Sequence, residues 1–375
     1  MPEMPGVAAP IILLAFDRPH LLARVLETLA AQQPAIDPRR LHLFLDGHFC
    51  PYRDQAVADP AAVDATALVF QRAFPEGQVH RAATNLGVAF NYDRAERFAF
   101  EELQAPVAYF LEDDLELSPR YLAALDQLAA LALGQERIAC VAAYGDHLLP
   151  VAEQVRRRRE LMALEHLWGF ALTRRHWLER RPIIDPYLDL LRGANYRDRP
   201  DQRVLEYFWG LGIGVRGTSQ DAAKTAACLL LGRVQLRCAA VLARYVGDEG
   251  LHMSKQLFIN LGYADTQLFP ADMPLEDFIL PSDAELDALL AARRAEAEGL
   301  RGKVPKAPRA WPPQPLPLDA AGVVTLFYRG VLGREPDETG FANNLAALQR
   351  GDCSPAQLLA SFIASAEFRD KFTKT

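Results

Sequence analysis

The sequence predicts an α/β protein: a parallel sheet wrapped by helices, followed by a small all-α unit. Three observations carry this reading. Short apolar runs at Ala9 to Phe16, Leu41 to Leu45 and Val107 to Leu111 are long enough for buried strands and too short for helices. Between them, apolar residues recur at helical spacing. Past Pro270 the character changes, and a proline-rich tract at 303–317 precedes further helical pattern.

Taken in order, the run at 9–16 predicts a central strand. Asp17, Arg18 and Pro19 interrupt it, and Leu21, Leu22, Val25, Leu26 and Leu29 then mark a helix through Gln32. Asp17 is the expected helix cap, with Pro19 in the first turn. Leu41 to Leu45 is a second strand ending in Asp46 and Gly47. A weaker third strand covers about 78–82, and Asn85, Leu86 and Gly87 form a turn before a helix carrying Phe90, Tyr92 and Phe98. The strand at Val107 follows, and Ile138 to Tyr144 predicts another. In a parallel sheet of this kind, ligands bind beyond the carboxyl ends of the strands. That rule gathers Arg18, Asp46, Asn85 and the stretch Glu112, Asp113, Asp114 around one crevice.

Three adjacent carboxylates at the end of a buried strand repel one another, so something must compensate them. A divalent cation would do so. Hard oxygen ligands suit Mn²⁺ or Mg²⁺, which are commonly held by one or two carboxylates with substrate phosphates completing the shell. The alternative is a strand that simply ends in a solvated acidic turn.

Composition narrows the function classes. Of 375 residues, 50% are hydrophobic, enough for one large core and something smaller. A formal charge of −7 argues against a general nucleic-acid binder. Arg156, Arg157, Arg158 and Arg159 form the one dense basic run, read as a solvated helix face ahead of a lipid- or phosphate-binding patch. The five cysteines are scattered and lack metal-ligand spacing, which predicts reduced thiols in a cytoplasmic protein. The first residues have neither a basic nor a long apolar region, and no apolar run reaches the roughly 18 residues of a membrane span. Membrane contact is expected to be peripheral at most.

The series AFDRP before a helix, then LFLDG, NLGVAFNYDRA and YFLEDDLELSP, resembles the nucleotide-sugar half of a GT-A glycosyltransferase, a Rossmann-like nucleotide-diphospho-sugar transferase fold. The EDDLE pentad is most similar to the family 2-like branch containing N-acetylglucosaminyltransferase I and related bacterial sugar transferases. The likeness covers roughly residues 8–260. It implies that Asp114 holds the metal, Asp113 contacts the ribose, and Glu112 lies near the donor sugar. It implies further that Arg18 and Asp46 contact the nucleotide, with Asn85 beside them. His252, in RYVGDEGLHMSK, matches a position that commonly supplies a further metal ligand.

The segment TSQDAAKTAACLLLGRVQL resembles the stretch where related enzymes carry a tryptophan followed by the aspartate base, although Gln220 stands where tryptophan is usual. Asp221 is the expected base, with Asp198 and Asp201 as competitors; a helix N-cap is the other reading of Asp221. Trp168, in HLWGF, is either a core residue or a platform for a sugar ring.

The expected organisation is a catalytic domain at 1–280, a helix and linker at 281–318, and a helical domain at 319–375. Ser282 and Glu285 form a capping box ahead of an amphipathic helix. The words LFYRGVLGREPDETG and SFIASAEFRDKF resemble a bacterial domain of unknown function related to phycobilisome linker modules, which suggests an interaction or oligomer contact. The whole predicts a metal-dependent, inverting glycosyltransferase acting from a nucleotide sugar, a UDP-sugar foremost, onto a glycan, lipid-linked or protein acceptor. Two alternatives stand beside it. A sugar-phosphate nucleotidyltransferase is disfavoured because AFDRPH lacks a glycine-rich phosphate loop; a degenerate transferase would act as a scaffold through its helical module.

Overall fold

A computed structural model describes residues 9–248, 253–303, 320–328, 332, 334–363 and 365–367. The chain divides into two compact units, Met1–Pro305 and Lys306–Thr375.

In the first unit the elements run β1 (Ile11–Ala15), α1 (Pro19–Ala30), β2 (Leu41–Leu45), a short β3 and β4 hairpin (Phe49–Cys50, Gln55–Ala56), α2 (Pro60–Ala73), β5 (Gln78–Arg81) and α3 (Val88–Arg97). They continue with β6 (Val107–Glu112), β7 (Leu115–Leu117), α4 (Tyr121–Gly134), β8 (Ile138–Ala142), α5 (Val151–Arg156), β9 (Leu161–Ala163), β10 (Phe170–Thr173) and α6 (Arg174–Leu191). The unit closes with α7 (Asp201–Gly210), α8 (Gln220–Leu230), β11 (Val234–Cys238), β12 (Ala243–Tyr245), α9 (Lys255–Asn260) and α10 (Asp283–Leu300).

Eight strands form one sheet in the order β5-β2-β1-β6-β10-β8-β11-β9. β5, β2, β1 and β6 are mutually parallel, whereas β10 is inserted antiparallel between β6 and β8. Side chains alternate between the two faces. Ile11, Leu13 and Ala15 meet α1, α2 and α4, while Ile12 and Leu14 meet Tyr92, Ala95 and Trp177 from α3 and α6. With both faces covered, Val107 to Leu111 are wholly buried, which is why those strands read as continuous apolar runs.

Strand order reverses between β1 and β6: the chain steps outward from β1 to β2 and β5, then returns to pair on the other side of β1. Such a switch point opens a crevice beyond the carboxyl ends of the two strands. Arg18 follows β1 and Asp113 and Asp114 follow β6, so this topology brings them together.

One local expectation is corrected, and others gain detail. The residue before α1 is Arg18, with no side-chain cap, so Asp17 does not cap it. Each arginine of the basic run has a partner: Arg156 pairs with Glu153, Arg157 with Glu160, Arg158 with Glu276, and Arg159 donates to the Asp277 carbonyl. All five cysteines are free, and four are buried. Among the described residues no helix is long and apolar enough to cross a membrane.

The capping box at Ser282 and Glu285 starts α10 as its sequence pattern requires. This helix belongs to the first unit, because Leu286 and Leu290 join the core of the sheet and Ala297 packs with α7 and α8. The first unit thus extends past residue 280.

The second unit contains α11 (Ala320–Phe327), α12 (Glu338–Arg350) and α13 (Pro355–Ile363) around Val324, Tyr328, Leu358 and Phe362. Its motif residues are structural. Arg334 pairs with Glu367 and lies 4.9 Å over the Tyr328 ring, while Asp337 caps α12 by accepting from the Gly340 amide at 2.8 Å. A Cβ on Gly340 would collide with the Tyr328 hydroxyl.

A chain ending after residue 303 should unfold in one cooperative transition, whereas one ending after residue 280 should lose most of its stability. Leu286→Ala in the full chain should cost about 2–5 kcal/mol in denaturant unfolding, as for other fully buried leucines.

Candidate functional site

The site is built from the loops after β1, β2 and β6 and from the first turn of α8. Glu112 ends β6 in register with Leu14, and Asp113 and Asp114 turn out of the sheet. The Arg18 guanidinium lies across both aspartates. Its Nε donates to Asp113 Oδ2 at 3.3 Å, its Nη2 pairs with Asp113 Oδ1, and the same Nη2 stands 2.8 Å from Asp114 Oδ2. The three acids therefore do not converge on one point, and among the described residues no cluster of three or more His, Cys, Asp or Glu side chains could hold a metal. Arg18 supplies part of the compensation that the acidic stretch demands.

One oxygen has no partner among the described residues. Asp114 is 5% exposed, and no described donor reaches its buried Oδ1. A buried carboxylate oxygen without a donor is costly. A hard divalent cation suits it, since such ions bind through one carboxylate and complete their shells from phosphate and water. Above it passes the chain after β12. β12 pairs antiparallel with β7, the Val246 amide donates to the Asp114 carbonyl at 2.8 Å, and a Cβ on Gly247 would fall 2.6 Å from Asp114 Oδ2. The turn expected to carry a ligand thus begins directly over Asp114; His252 lies outside the described residues.

Burial dominates the electrostatics. It pushes the Asp113 carboxyl above the ordinary carboxylate range, while Arg18 pulls it down and Asp114 raises it again. Asp114 is likewise raised by burial against the pull of Arg18. Glu112 is held well above its usual range by burial and by its like-charged neighbours Asp114 and Asp221, although it accepts from the Tyr92 hydroxyl at 3.0 Å.

Asp46 and Asn85 sit at the neighbouring edge and chiefly hold loops. Asp46 accepts from the amides of Gly47 at 2.9 Å, Leu86 at 2.7 Å and Gly87 at 2.9 Å, and from Asn85 Nδ2 at 3.0 Å. A carboxylate has about four acceptor sites, and these four donors fill them. Asn85 Nδ2 also donates to the Gly47 carbonyl at 3.0 Å. The pair clamps the end of β2 to the turn before α3, whose Gly87 adopts φ 76° against the Tyr196 side chain.

Asp221 lies in the first turn of α8, but Ser219 is the cap, its Oγ accepting from the Ala222 amide at 3.3 Å. The carboxylate is free of that duty. Gln220 Nε2 donates to it, and burial lifts its pKa to about 6, with Lys224 pulling down and Glu96 pushing up. Its charge is felt at Glu112 and Tyr92, raising the pKa of both. The competing acids are occupied: Asp198 pairs with Arg53 at 2.6 Å, and Asp201 lies 3.2 Å from Arg199 and accepts from Thr218.

Trp168 is packed among aromatic rings. His166 and Tyr245 lie nearly parallel to it at 4.5 and 4.4 Å between centroids, and Tyr144 meets it edge-on at 5.5 Å. This packing agrees with the core reading. Sequence reasoning missed Tyr92 as the partner of Glu112 and missed Glu96, Arg180 and Lys224 altogether. Tyr92 was placed on the right helix, but no local pattern announces a hydrogen bond to a strand 20 residues on.

Compared with known proteins, residues 318–372 match DUF4214, a domain of unknown function. No curated protein matches the chain. Among solved structures the chain is similar to the crystal structure of GalNAc-T7 with UDP, GalNAc and Mn²⁺, with a TM-score of 0.39 and 11% identity over 62% of this chain and 42% of that one. The chain spans less than half the length of that structure.

Asp46→Ala should cost about 1–3 kcal/mol in denaturant unfolding, because the buried donors Gly47 N–H and Asn85 Nδ2 lose their acceptor. Unchanged stability with lost nucleotide affinity would instead make Asp46 a direct nucleotide contact.

Proposed function

We propose that the first unit is a metal-dependent glycosyltransferase of the GT-A type, moving a sugar from a nucleotide sugar, most readily a UDP-sugar, to an acceptor hydroxyl with inversion. One observation carries this reading. At the switch point between β1 and β6, a buried Asp114 Oδ1 with no partner among the described residues stands beside a guanidinium, giving one corner of the crevice an anion for a cation and a cation for a phosphate.

In this reading Asp114 would hold Mn²⁺ or Mg²⁺, with His252 as a candidate second ligand. The cation, when bound, supplies Lewis-acid stabilisation of the diphosphate charge that grows as the glycosidic bond breaks. Arg18 adds a fixed positive charge to the same leaving group and keeps Asp113 oriented for the ribose. Glu112, held by Tyr92, faces the sugar side. Asn85 and Asp46 shape the wall on which the base rests. Asp221 takes the proton from the acceptor hydroxyl as its oxygen attacks the anomeric carbon. A carboxylate of pKa about 6 suits the task, being ionised near neutral pH yet more basic than an exposed aspartate. Acceptor identity and the role of the helical unit, as an oligomer contact or partner module, stay with the broader proposal of a glycan, lipid-linked or protein acceptor in the cytoplasm.

Calorimetric titration with UDP, GDP, CMP and dTDP, each with Mn²⁺ and with chelator, tests the reading. One nucleotide should bind only with metal; no binding by any of them to the folded protein would overturn it in favour of a scaffold. Asp114→Ala should abolish the metal dependence of binding, and retained dependence would move the cation elsewhere. Asp221→Asn should leave nucleotide affinity intact and lower transfer by about 10²–10⁴-fold, the usual worth of a general base. Since the base works ionised, kcat/KM should fall about tenfold per pH unit below about 6 and level off above it.

A further inference from the structure

Behind the crevice lies a group of charges that the proposed chemistry does not use. Glu96 on α3 is 1% exposed, Arg180 on α6 is 2% exposed and Lys224 on α8 is 4% exposed. Arg180 Nη2 stands 2.6 Å from Glu96 Oε2, and Lys224 Nζ stands 2.8 Å from Glu96 Oε1. Burying three ions costs several kcal/mol each before their attraction is counted, and well-packed apolar side chains often stabilise a core as well or better. A buried triad of net charge +1 therefore invites a role beyond packing.

Its position supplies one. Lys224 is one helical turn from Asp221, and its Nζ rests 4.0 Å above the ring of Tyr92, whose hydroxyl donates to Glu112. The lysine thus reaches the acidic end of β6 through Tyr92 and lies one helical turn from the proposed base.

We infer that Lys224, ion-paired with the Glu96 carboxylate that it shares with Arg180, is a positioning group for the crevice: it anchors the first turn of α8 to α3 and sets the charge that surrounds the Asp221 carboxylate. This rests on the reading of Asp221 as the base, but its electrostatic content does not. Two charges act directly on Asp221 from within the triad, Lys224 favouring its ionised form and Glu96 opposing it. Glu112 on β6 adds a neighbouring acid, and the Asp221 charge is also felt by Tyr92, Tyr187 and Tyr196, on α3, α6 and the turn before α7. Arg180 lies behind Lys224 and adds to the positive side.

The two charges predict opposite shifts. Lys224→Met removes the favourable charge, so the Asp221 pKa should rise by about one unit, the low end of the effect of a nearby opposite charge. Activity should then drop about fivefold at pH 6 and change little at pH 9. Glu96→Gln removes the opposing charge with little change of shape, so the acid limb should move to lower pH. A purely structural role would depress kcat at every pH and move neither limb.

The experiment measures the pH profile of kcat/KM for both variants and, on the same proteins, titrates the Asp221 carboxyl by ¹³C NMR with Asp221→Asn identifying the signal. The NMR titration needs no turnover, so it stands even if the protein transfers no sugar, and the Glu96 variant suffices if the Lys224 variant does not fold. Opposite displacements of the Asp221 titration support the inference. Displacements in one direction, or an Asp221 pKa unmoved in a folded variant, overturn it.

Discussion

The arrangement depends on compensating acids at the end of a buried strand. β6 is wholly covered on both faces, so the residues that follow it leave the sheet inside protein rather than in water. Glu112, Asp113 and Asp114 therefore take different partners: a tyrosine hydroxyl for the first, the Arg18 guanidinium for the other two, and, among the described residues, no donor for Asp114 Oδ1. The strand order makes this possible, because the switch between β1 and β6 sets Arg18 beside residues 95 positions later in the chain.

From that constraint the rest of the crevice follows in layers. β7 leaves the acidic turn and pairs with β12, which carries the Val246 amide onto the Asp114 carbonyl and Gly247 across its carboxylate. Only a residue without a side chain passes there without displacing the acid. On the opposite side, α3 and α8 are held together by a buried ion-paired triad, and each presents one polar group to the site, Tyr92 and Asp221. The loop after β2 contributes differently: Asp46 accepts from three backbone amides and the Asn85 side chain and clamps that loop to the turn before α3.

The helical unit shows the same economy at small scale. Arg334, Glu367, Tyr328, Asp337 and Gly340, which make its sequence recognisable, are bound to one another or cap a helix. A recognisable motif here marks how the unit folds.

Much of the frame was legible in the sequence because it is local. Apolar runs of strand length, the Ser282 and Glu285 capping box, and helical spacing after Pro19 and after Asn85 depend on neighbours a few residues apart. The carboxyl ends of the parallel strands, and so the gathering of Arg18, Asp46, Asn85 and Glu112 to Asp114, follow from the same pattern plus one topological rule. What the tertiary structure decided is pairing over distance. The antiparallel insertion of β10, the membership of α10 in the sheet's core, and the cap at Ser219 that leaves Asp221 uncommitted have no local signature. The same holds for Arg18 lying across both aspartates and for Glu96, Arg180 and Lys224 meeting from three helices. Periodicity tells which face of an element is buried; which charges meet inside is determined only when the faces close on one another.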